Sequence, residues 1–574
     1  MLLWVFLATA LIGVWAAWDP NAAWAKFYLI VGAIGLYYAI AHQPDLDHVF
    51  TILVFFGIFG VGLALYFFVT NDWSAQTTKI AFLASIGKGL AALLPSLAAH
   101  QLHPNVAGGM LGLVLPVYVP LFILSRKRRS KRSHSTRWRW ITWLWIVAAW
   151  IVLLAELVSE SRGAWLGIAI TGVMWLAWRF LGWLLHARPI ERMWRLRVLI
   201  MGAVWLIGAA AAIAVISCLL NRDSSGLGTL SSRVGLLRDG LLLARDYPLT
   251  GAGLGMFQLQ HSTYILLIHV PYIIHTHDLL VNILIEQGLF GLLAYLGLAA
   301  VSISTALRSL RYATSELALI IEASFAMLLV IWLHGWVDDT LYGSRGLLLL
   351  WAPLAMIGVC YRLQSQALPE SQPSTRRWLK PALGVALAAL VILSIVWGRP
   401  VVASAFSNLG SVEQSRVELS HYDPDRFDKP SLDRIRQTQN LDRSIGLFEH
   451  ALSIDPANLT AHQRLTGIDL SRGQYSAALD QIQLAWMAGY HDAVTRLLLG
   501  DAYVANGQVA QGVEAVKDLP EAIRRLEFQA FYRYTAAKDY RRAADAWAAV
   551  VALDPGNQAA IKAQADAARR VVQP

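Results

Sequence analysis

Residues 198–220 read VLIMGAVWLIGAAAAIAVISCLL, a run of 23 positions without a charged side chain. At about 1.5 Å of rise per residue, a helix of this length crosses the roughly 30 Å hydrocarbon core of a bilayer. The whole chain of 574 residues agrees with this stretch: 56% of its residues are hydrophobic, 15% are charged and the mean hydropathy is +0.48. Since about a quarter of the residues in a soluble domain are charged, the sequence predicts an integral membrane protein.

Ten further apolar stretches resemble this one, and together they predict an all-α, polytopic membrane helix bundle of about eleven spans. The first stretch has no Lys or Arg before Lys26, so we expect a retained helix there and not a cleaved signal peptide. The eleven spans are expected near residues 2–17, 25–41, 49–70, 105–124, 140–158, 164–184, 198–220, 279–305, 317–335, 346–361 and 381–398.

Basic residues between the spans predict the orientation of the chain in the membrane. Eight Lys and Arg residues lie between positions 126 and 139, four lie between 188 and 197, and smaller groups follow at 308–311 and 362–380. If every span crosses once, all four groups fall on one side, which the positive-inside rule assigns to the cytoplasm. The net charge of +10 therefore indicates orientation and not binding to nucleic acid. The outer side is then expected to hold residues near 71–104, 159–163, 221–278 and 334–345, and everything after Arg399.

From about residue 400 the sequence becomes polar and carries a repeat. Gly473-Gln474 recurs 34 residues later as Gly507-Gln508, and Asp455-Pro456 recurs 99 residues later as Asp554-Pro555. Thirty-four residues is the period of tetratricopeptide repeats, in which two antiparallel helices pack against the next pair. An irregular helical domain is the alternative. The predicted domains are a membrane domain at 1–399, a linker at 400–439 and a tetratricopeptide-like α-solenoid at 440–574.

Ionisable side chains within or beside membrane spans are costly to place, so they are candidates for function. Arginine binds phosphate through paired hydrogen bonds and keeps its charge at any physiological pH, while neutral histidine accepts a proton from a hydroxyl group. A group of both types on one membrane face predicts a phosphate-bearing substrate and a proton acceptor. On the expected outer side these residues are Arg162, Arg233, Arg238, Arg245, His275, His277, His334, Asp338, Asp339 and Arg345.

Four short motifs resemble the O-antigen ligase superfamily, in the right order over about residues 70–360. Together they are specific, although each is short. The superfamily includes lipopolysaccharide O-antigen ligases, polysaccharide polymerases of the Wzy type and protein O-oligosaccharyltransferases. The motifs are His103-Pro104-Asn105-Val106-Ala107, then Ser161-Arg162-Gly163-Ala164-Trp165, then Ser232-Arg233 with Asp246-Tyr247-Pro248-Leu249-Thr250-Gly251-Ala252-Gly253-Leu254-Gly255-Met256-Phe257, and finally His275-Thr276-His277-Asp278 with Glu286-Gln287-Gly288-Leu289-Phe290-Gly291.

The resemblance implies a glycosyltransferase of the bacterial inner membrane with a GT-C-like helical fold. Such an enzyme transfers a glycan from an undecaprenyl-diphosphate carrier to an acceptor hydroxyl group outside the cytoplasm. The resemblance implies no metal and no other cofactor. A single displacement, with the base on the opposite face of the sugar, would invert the anomeric carbon.

The resemblance also implies roles for individual residues. By motif match, Arg162 and Arg233 would bind the diphosphate, and His277 would accept the proton or orient the acceptor. The sequence has Asp278 where the family usually has Asn after this histidine. Further residues expected to support the site are Asp338 and Asp339, in the last outer turn where the family usually has an acidic residue, together with Arg345 and His275.

The sequence leaves the acceptor open, because a lipid ligase, a polymerase and a protein glycosyltransferase share the same donor chemistry. An exporter of lipid-linked glycans is the alternative of a different class. Exporters place charges near the bilayer midplane between repeated halves, whereas these candidates lie at one face. A membrane anchor for a scaffold would not need eleven spans. Expected partners are the lipid-linked donor, its acceptor and membrane lipids, and the solenoid is expected to recruit the acceptor or a protein partner, with structural capping as its competing role.

Overall fold

The computed structural model of the protein describes residues 1–73, 80–93, 97, 99–131, 136–184, 196–203, 228–268, 270–271, 273–339, 341–367, 398–426 and 431–572. All regular secondary structure within these residues is helical. Long apolar helices dominate the chain before residue 368, and shorter helices follow from residue 398 onward.

Eight of the described helices are long and apolar enough to cross a membrane. Each coincides with a span expected from the sequence, so the polytopic helical membrane fold is confirmed. They are Pro20–Ala41, Leu46–Thr70, Pro104–Lys127, Trp140–Val158, Arg162–Leu184, Leu279–Tyr312, Ser315–Gly335 and Arg345–Gln366. A further helix, Ala81–Leu93, is shorter.

The other three expected spans differ from these eight. Leu2–Ala16 is an apolar helix of 15 residues, which is shorter than the about 20 residues that a perpendicular span needs. The stretch 198–220 is described only as far as residue 203, and the stretch 381–398 only at Gly398, so both lie largely outside the described residues. The count of eleven therefore stays a prediction.

An aspartate caps the start of each of two consecutive spans. Asp19 accepts hydrogen bonds from the N–H groups of Asn21 and Ala22. Pro20 occupies the first helical position, where no N–H group is required. Asp45 caps Leu46–Thr70 in the same way. These caps satisfy backbone donors that have no partner within the helix.

The expected cytoplasmic ends of the spans contact one another. Lys127 Nζ donates to Ser315 Oγ at 2.8 Å. The Arg362 guanidinium donates to the backbone carbonyl groups of Ala41 and Gln43. These contacts join loops that fall on one side of the membrane if every span crosses once.

The expected outer ends also meet. The start of Arg162–Leu184 packs against the end of Ser315–Gly335, where a Cβ atom on Gly163 would lie 3.1 Å from His334 Cδ2. Lys26 near the start of Pro20–Ala41 forms an ion pair with Glu286 at 2.7 Å. The candidate residues for function are therefore concentrated at one end of the bundle.

If the basic end faces the cytoplasm, the region after Arg399 lies outside, and a membrane-impermeant maleimide should label a cysteine there in spheroplasts. The test replaces Glu514, whose side chain is 72% exposed, by cysteine after Cys218 and Cys360 have been changed to alanine. A cysteine at Tyr312, in the turn between two spans at the basic end, is the control and should react only after lysis. The reverse labelling pattern would overturn the predicted orientation.

Residues 228–278, which we call the outer segment, precede the span Leu279–Tyr312. They contain the helix Gly228–Asp246, the short helix Phe257–Gln260 and a π-helical turn at His261–Ile265. Arg233 lies near the start of this segment and His277 near its end.

Residues 398–572, which we call the C-terminal domain, fold into successive helices. Gly473 and Gly507 end the first helix of two successive pairs in the left-handed conformation, with φ of +76° and +78°, which glycine adopts without strain. Lys538 has φ of +60° at the matching place in the next pair. The helices are Gly398–Ser420, Leu432–Thr438, Asp442–Ile454, Leu459–Arg472, Tyr475–Met487, Ala493–Ala505, Val509–Val516, Ala522–Phe528 with a π-helical turn at Gln529–Thr535, Tyr540–Leu553 and Gln558–Val572.

The segment 400–439, expected to be a linker, contains two of these helices. Glu418 on the first and Arg436 on the second form a buried ion pair at 2.8 Å. The described part of this segment therefore packs with the helices that follow it.

Two buried hydrophobic clusters join the C-terminal domain to the outer segment, and the smaller one groups Leu259 and Tyr264 with Leu419 and Leu432. In the larger one, Tyr247 and Phe257 pack with Leu498 and Leu526 of the C-terminal domain. A separate and larger core lies among the membrane helices.

Candidate functional site

His277 and Asp338 form the centre of the candidate site. His277 Nδ1 lies 2.9 Å from Asp338 Oδ1. The residues are 61 positions apart, one just before the span Leu279–Tyr312 and the other in the turn after Ser315–Gly335. Asp338 is held there by its backbone N–H group, which donates to His334 O at 2.8 Å. Asn105 Nδ2 donates to the second carboxylate oxygen, Oδ2, at 2.6 Å.

The local backbone also shapes this pair. His277 has φ of +56°, which is unusual for a residue with a side chain. Such a conformation indicates that function or packing constrains the backbone there. The next residue, Asp278, caps the following helix by accepting from the N–H group of Val281. Asp278 therefore has a structural role as a helix cap.

The electrostatic environment gives the neighbouring groups different charges at neutral pH. Burial alone would raise the pKa of Asp338, but the hydrogen bond to His277 and the nearby imidazoles hold this pKa down at about 2. Burial, with a smaller contribution from His277, lowers the pKa of His275 to about 4. Asp338 is therefore a carboxylate and His275 is neutral at pH 7.

Asp339 points into a different environment from Asp338. Asn282 Nδ2 donates to Asp339 Oδ2 at 2.6 Å, and the residue is only 2% exposed. Burial raises the pKa of Asp339 to about 7, although Lys26 and the Asn282 hydrogen bond oppose this rise. Of the two adjacent acids, only Asp338 contacts the candidate histidine.

Arg233 contacts the same turn. Its Nη1 atom donates to the carbonyl oxygen of Val337 at 2.5 Å, one residue before Asp338. The structure therefore brings Arg233 beside the His277–Asp338 pair across a sequence separation of about one hundred residues.

Arg162 and Arg345 approach this turn less directly. Arg162 begins the helix Arg162–Leu184 and is exposed, while the next residue, Gly163, packs against His334 and Val337. Arg345 is exposed at the start of a 3₁₀ helix. Within the described part of the chain, neither arginine forms an ion pair, so both keep a free charge at this end of the bundle.

Two of the quoted motifs pack against each other. Gly251, Gly253 and Gly255 all have positive φ, and the N–H group of Ala252 donates to Ile285 O at 2.6 Å. Gly288, with φ of +69°, interrupts the helix Leu279–Tyr312 at this place.

Their glycines allow this close approach. A Cβ atom on Gly251 would lie 2.4 Å from Glu286 O, and one on Gly288 would lie 2.5 Å from Leu249 O. These motifs thus join the outer segment to the membrane helix that begins beside His277.

Several residues at the site were not assigned a role from the sequence. Asn105 belongs to the motif that begins at His103, and this motif is the signal that could have identified it. Lys26 and Asn282 lie outside the motifs, and the uncharged amide of Asn282 gave no further signal. Lys26 Nζ forms the ion pair with Glu286 and also lies 3.9 Å from the centre of the Tyr342 ring.

The side chains of His275, His277 and Asp338 could also hold a metal ion. One ligand atom from each lies within 4.8 Å of the others, and imidazole with carboxylate is a ligand set that suits zinc. In that arrangement the metal would compete with the hydrogen bond between His277 and Asp338. The chemistry of the site therefore allows either a hydrogen-bonded base or a metal centre.

The comparisons with known proteins agree with this geometry. Residues 147–296 match the O-antigen ligase family. The matched region contains Arg162, Arg233 and His277, while Asn105 and Asp338 lie outside it. No curated protein and no solved structure matches the chain. The match supports a membrane enzyme of the glycan ligase or polymerase kind, acting on a lipid-linked glycan.

Proposed function

We propose that this protein transfers a glycan from an undecaprenyl-diphosphate carrier to an acceptor hydroxyl group at the outer face of the bacterial cytoplasmic membrane. The observation that carries the proposal is the 2.9 Å contact between His277 Nδ1 and Asp338 Oδ1, with Arg233 bound to the adjacent Val337. The position of these groups at one end of the membrane helices supports a substrate whose head group lies at the membrane surface.

His277 would act as the general base. Because Asp338 accepts the Nδ1 proton, the other ring nitrogen, Nε2, keeps a lone pair in the neutral ring. Nε2 would take the hydroxyl proton as the acceptor oxygen bonds to the anomeric carbon and the bond to the diphosphate breaks. This single displacement would invert the anomeric centre. A positioned base contributes about 10²–10⁴-fold to such a step.

Arg162 and Arg233 would stabilise the leaving group. Negative charge grows on the diphosphate as its bond to the sugar breaks, and fixed guanidinium groups stabilise that charge more in the transition state than in the bound substrate. Arg233 reaches the turn that carries Asp338, and Arg162 is exposed at the start of the helix that packs against the same turn. The two charges would do the work that a divalent cation does elsewhere.

The C-terminal domain is proposed to be a tetratricopeptide-like solenoid on the outer side of the membrane. Its support is the 34-residue separation of Gly473 and Gly507 and their equivalent positions at the ends of helices. The acceptor would be a lipid, a growing glycan or a protein, since these classes share the donor chemistry.

The direct test is a transfer assay with purified protein, undecaprenyl-diphosphate glycan and a panel of lipid, glycan and protein acceptors, with products measured by mass. We expect a product with one acceptor class and inverted anomeric configuration. Transport of the donor across vesicles without transfer to any acceptor would favour the exporter instead.

Arg233→Ala should reduce transfer by about 10²–10³-fold, the usual loss when a donor that stabilises transition-state charge is removed. Arg238→Ala is the matched control, because Arg238 lies on the same helix but is exposed, and it should leave transfer nearly unchanged. Similar losses in both variants would indicate that the helix needs its positive charge only for structure.

Chelation should not reduce transfer if the two arginines replace a cation. Dialysis against EDTA should leave the rate unchanged, and elemental analysis should find less than stoichiometric metal. A loss of transfer that added zinc restores, together with loss of bound zinc in His275→Ala, would instead establish the His275, His277 and Asp338 metal centre.

A further inference from the structure

The outer segment is bound to the C-terminal domain at two places. At the first, Asp246 ends the helix that carries Arg233. Its carboxylate accepts from Arg464 Nη2 at 2.8 Å and from the Thr460 hydroxyl at 2.8 Å. The Asp246 and Arg464 side chains are both only 4% exposed. A buried ion pair of this kind is costly to break, since removing one partner leaves an unpaired charge away from water.

The second place lies about twenty residues further along the outer segment. The Tyr264 hydroxyl donates to Glu418 Oε2 at 3.0 Å, and the Arg464 guanidinium lies 3.5 Å from the centre of the Tyr264 ring. Arg525 donates to the carbonyl oxygen of Leu267. Arg464 thus contacts the outer segment at both places, and Arg525 adds a third contact.

Several of the residues that contact the outer segment lie at matching places in the helical array. Three of them, Arg464, Leu498 and Arg525, lie on the first helix of successive pairs, and with Thr263 and Leu267 they line a cavity of only about 30 Å³. Helical repeat arrays usually bind extended ligands on one extended, concave surface. Here the chain's own outer segment fills it, which leaves no room there for a separate peptide.

Both candidate groups for chemistry lie just outside the two attachment places. Arg233 is 13 residues before Asp246 on one continuous helix, and His277 is ten residues after Leu267. A displacement of about 1 Å in a reacting group can cost about 10²-fold in rate. The attachments are therefore suited to fix the positions of Arg233 and His277 relative to each other.

We infer that the C-terminal domain is an intramolecular clamp, in which Arg464 and Arg525 position the outer segment so that Arg233 and His277 meet at the Asp338 turn. The inference rests on the proposed function and deepens it. Arg464 and Arg525 are positioning residues, because they act through the outer segment. Any protein partner of the domain binds another surface.

The test removes each attachment without leaving an unpaired buried charge. One double variant is Arg464→Met with Asp246→Asn, and the other is Arg525→Met with Asp501→Asn, since Asp501 is the ion-pair partner of Arg525 at 2.6 Å. The control is Arg496→Met with Asp518→Asn, an Arg–Asp pair on the same domain in which Asp518 is 64% exposed. All three pairs change the same residue types.

Two measurements distinguish a clamp from general support. Hydrogen exchange should rise about tenfold or more at residues 261–268 in both double variants, with exchange unchanged in the membrane helices. The kcat for transfer should fall about 10²-fold. The control should match the native protein in both measurements.

The possible results separate the two proposals. Unchanged exchange at 261–268, raised exchange with normal kcat, or unfolding of the whole C-terminal domain in both double variants would each overturn the clamp. If the native protein transfers no glycan to any acceptor, the proposed function fails. In that case raised local exchange still supports the attachment, and unchanged exchange refutes it.

Discussion

His277→Ala should reduce transfer by about 10²–10⁴-fold while the protein stays folded and inserted. The imidazole is the group that can take a proton from the acceptor, and its loss removes general-base catalysis. Asp338→Asn should also lower the rate, because an amide at this position can donate to Nδ1 and so favour the tautomer in which Nε2 carries the proton. The measurement is kcat for each variant with a saturating lipid-linked donor.

His421→Ala is the control for the loss of an imidazole from the outer side. His421 is exposed and lies on the C-terminal domain, where its ring nitrogen bonds to the backbone of its own helix. It should keep a native rate. Near-native transfer by His277→Ala would refute the general-base assignment, whatever the result for Asp338→Asn.

Local patterns in the sequence predicted much of the membrane fold. A membrane span can be predicted from local sequence alone, because the length of an apolar run and its lack of charge decide whether it can cross a bilayer. Motifs then marked His277 and Arg233, and the resemblance pointed to the acidic pair Asp338 and Asp339 in the last outer turn. The structure brings His277, Arg233 and Asp338 to this turn. The distinction between Asp338 and Asp339 could not be predicted, because it depends on which way two adjacent side chains point in a turn.

The second limit concerns contacts between distant parts of the chain. The sequence indicated that the C-terminal helices form repeats, and from this we expected recruitment of an acceptor. It could not indicate that Arg464 pairs with Asp246, because 218 residues separate them and neither belongs to a pattern that names its partner. Such pairs become visible only when the outer segment and the C-terminal domain are seen together.

Truncation after Arg399 should destabilise the outer segment and abolish donor binding. If the C-terminal domain only recruited the acceptor, as expected from the sequence, the truncated protein would still bind the donor. The contacts instead favour structural capping. Asp246 would lose its buried partner Arg464, a loss that typically costs about 3–5 kcal/mol. Tyr247 and Phe257, which pack in the shared core, would be exposed to water. Together these losses are comparable with the about 5–15 kcal/mol by which a domain is stable.

The matched control removes only the last helix, Gln558–Val572, which packs against Tyr540–Leu553 and contains neither Arg464 nor Arg525. Thermal unfolding in detergent and binding of the lipid-linked donor should be measured for both truncations. We expect the longer truncation to unfold at a lower temperature and the shorter one to bind the donor as the full chain does. A stable protein truncated at Arg399 with native donor affinity would contradict this expectation, because the outer segment would then hold Arg233 in place without the C-terminal domain.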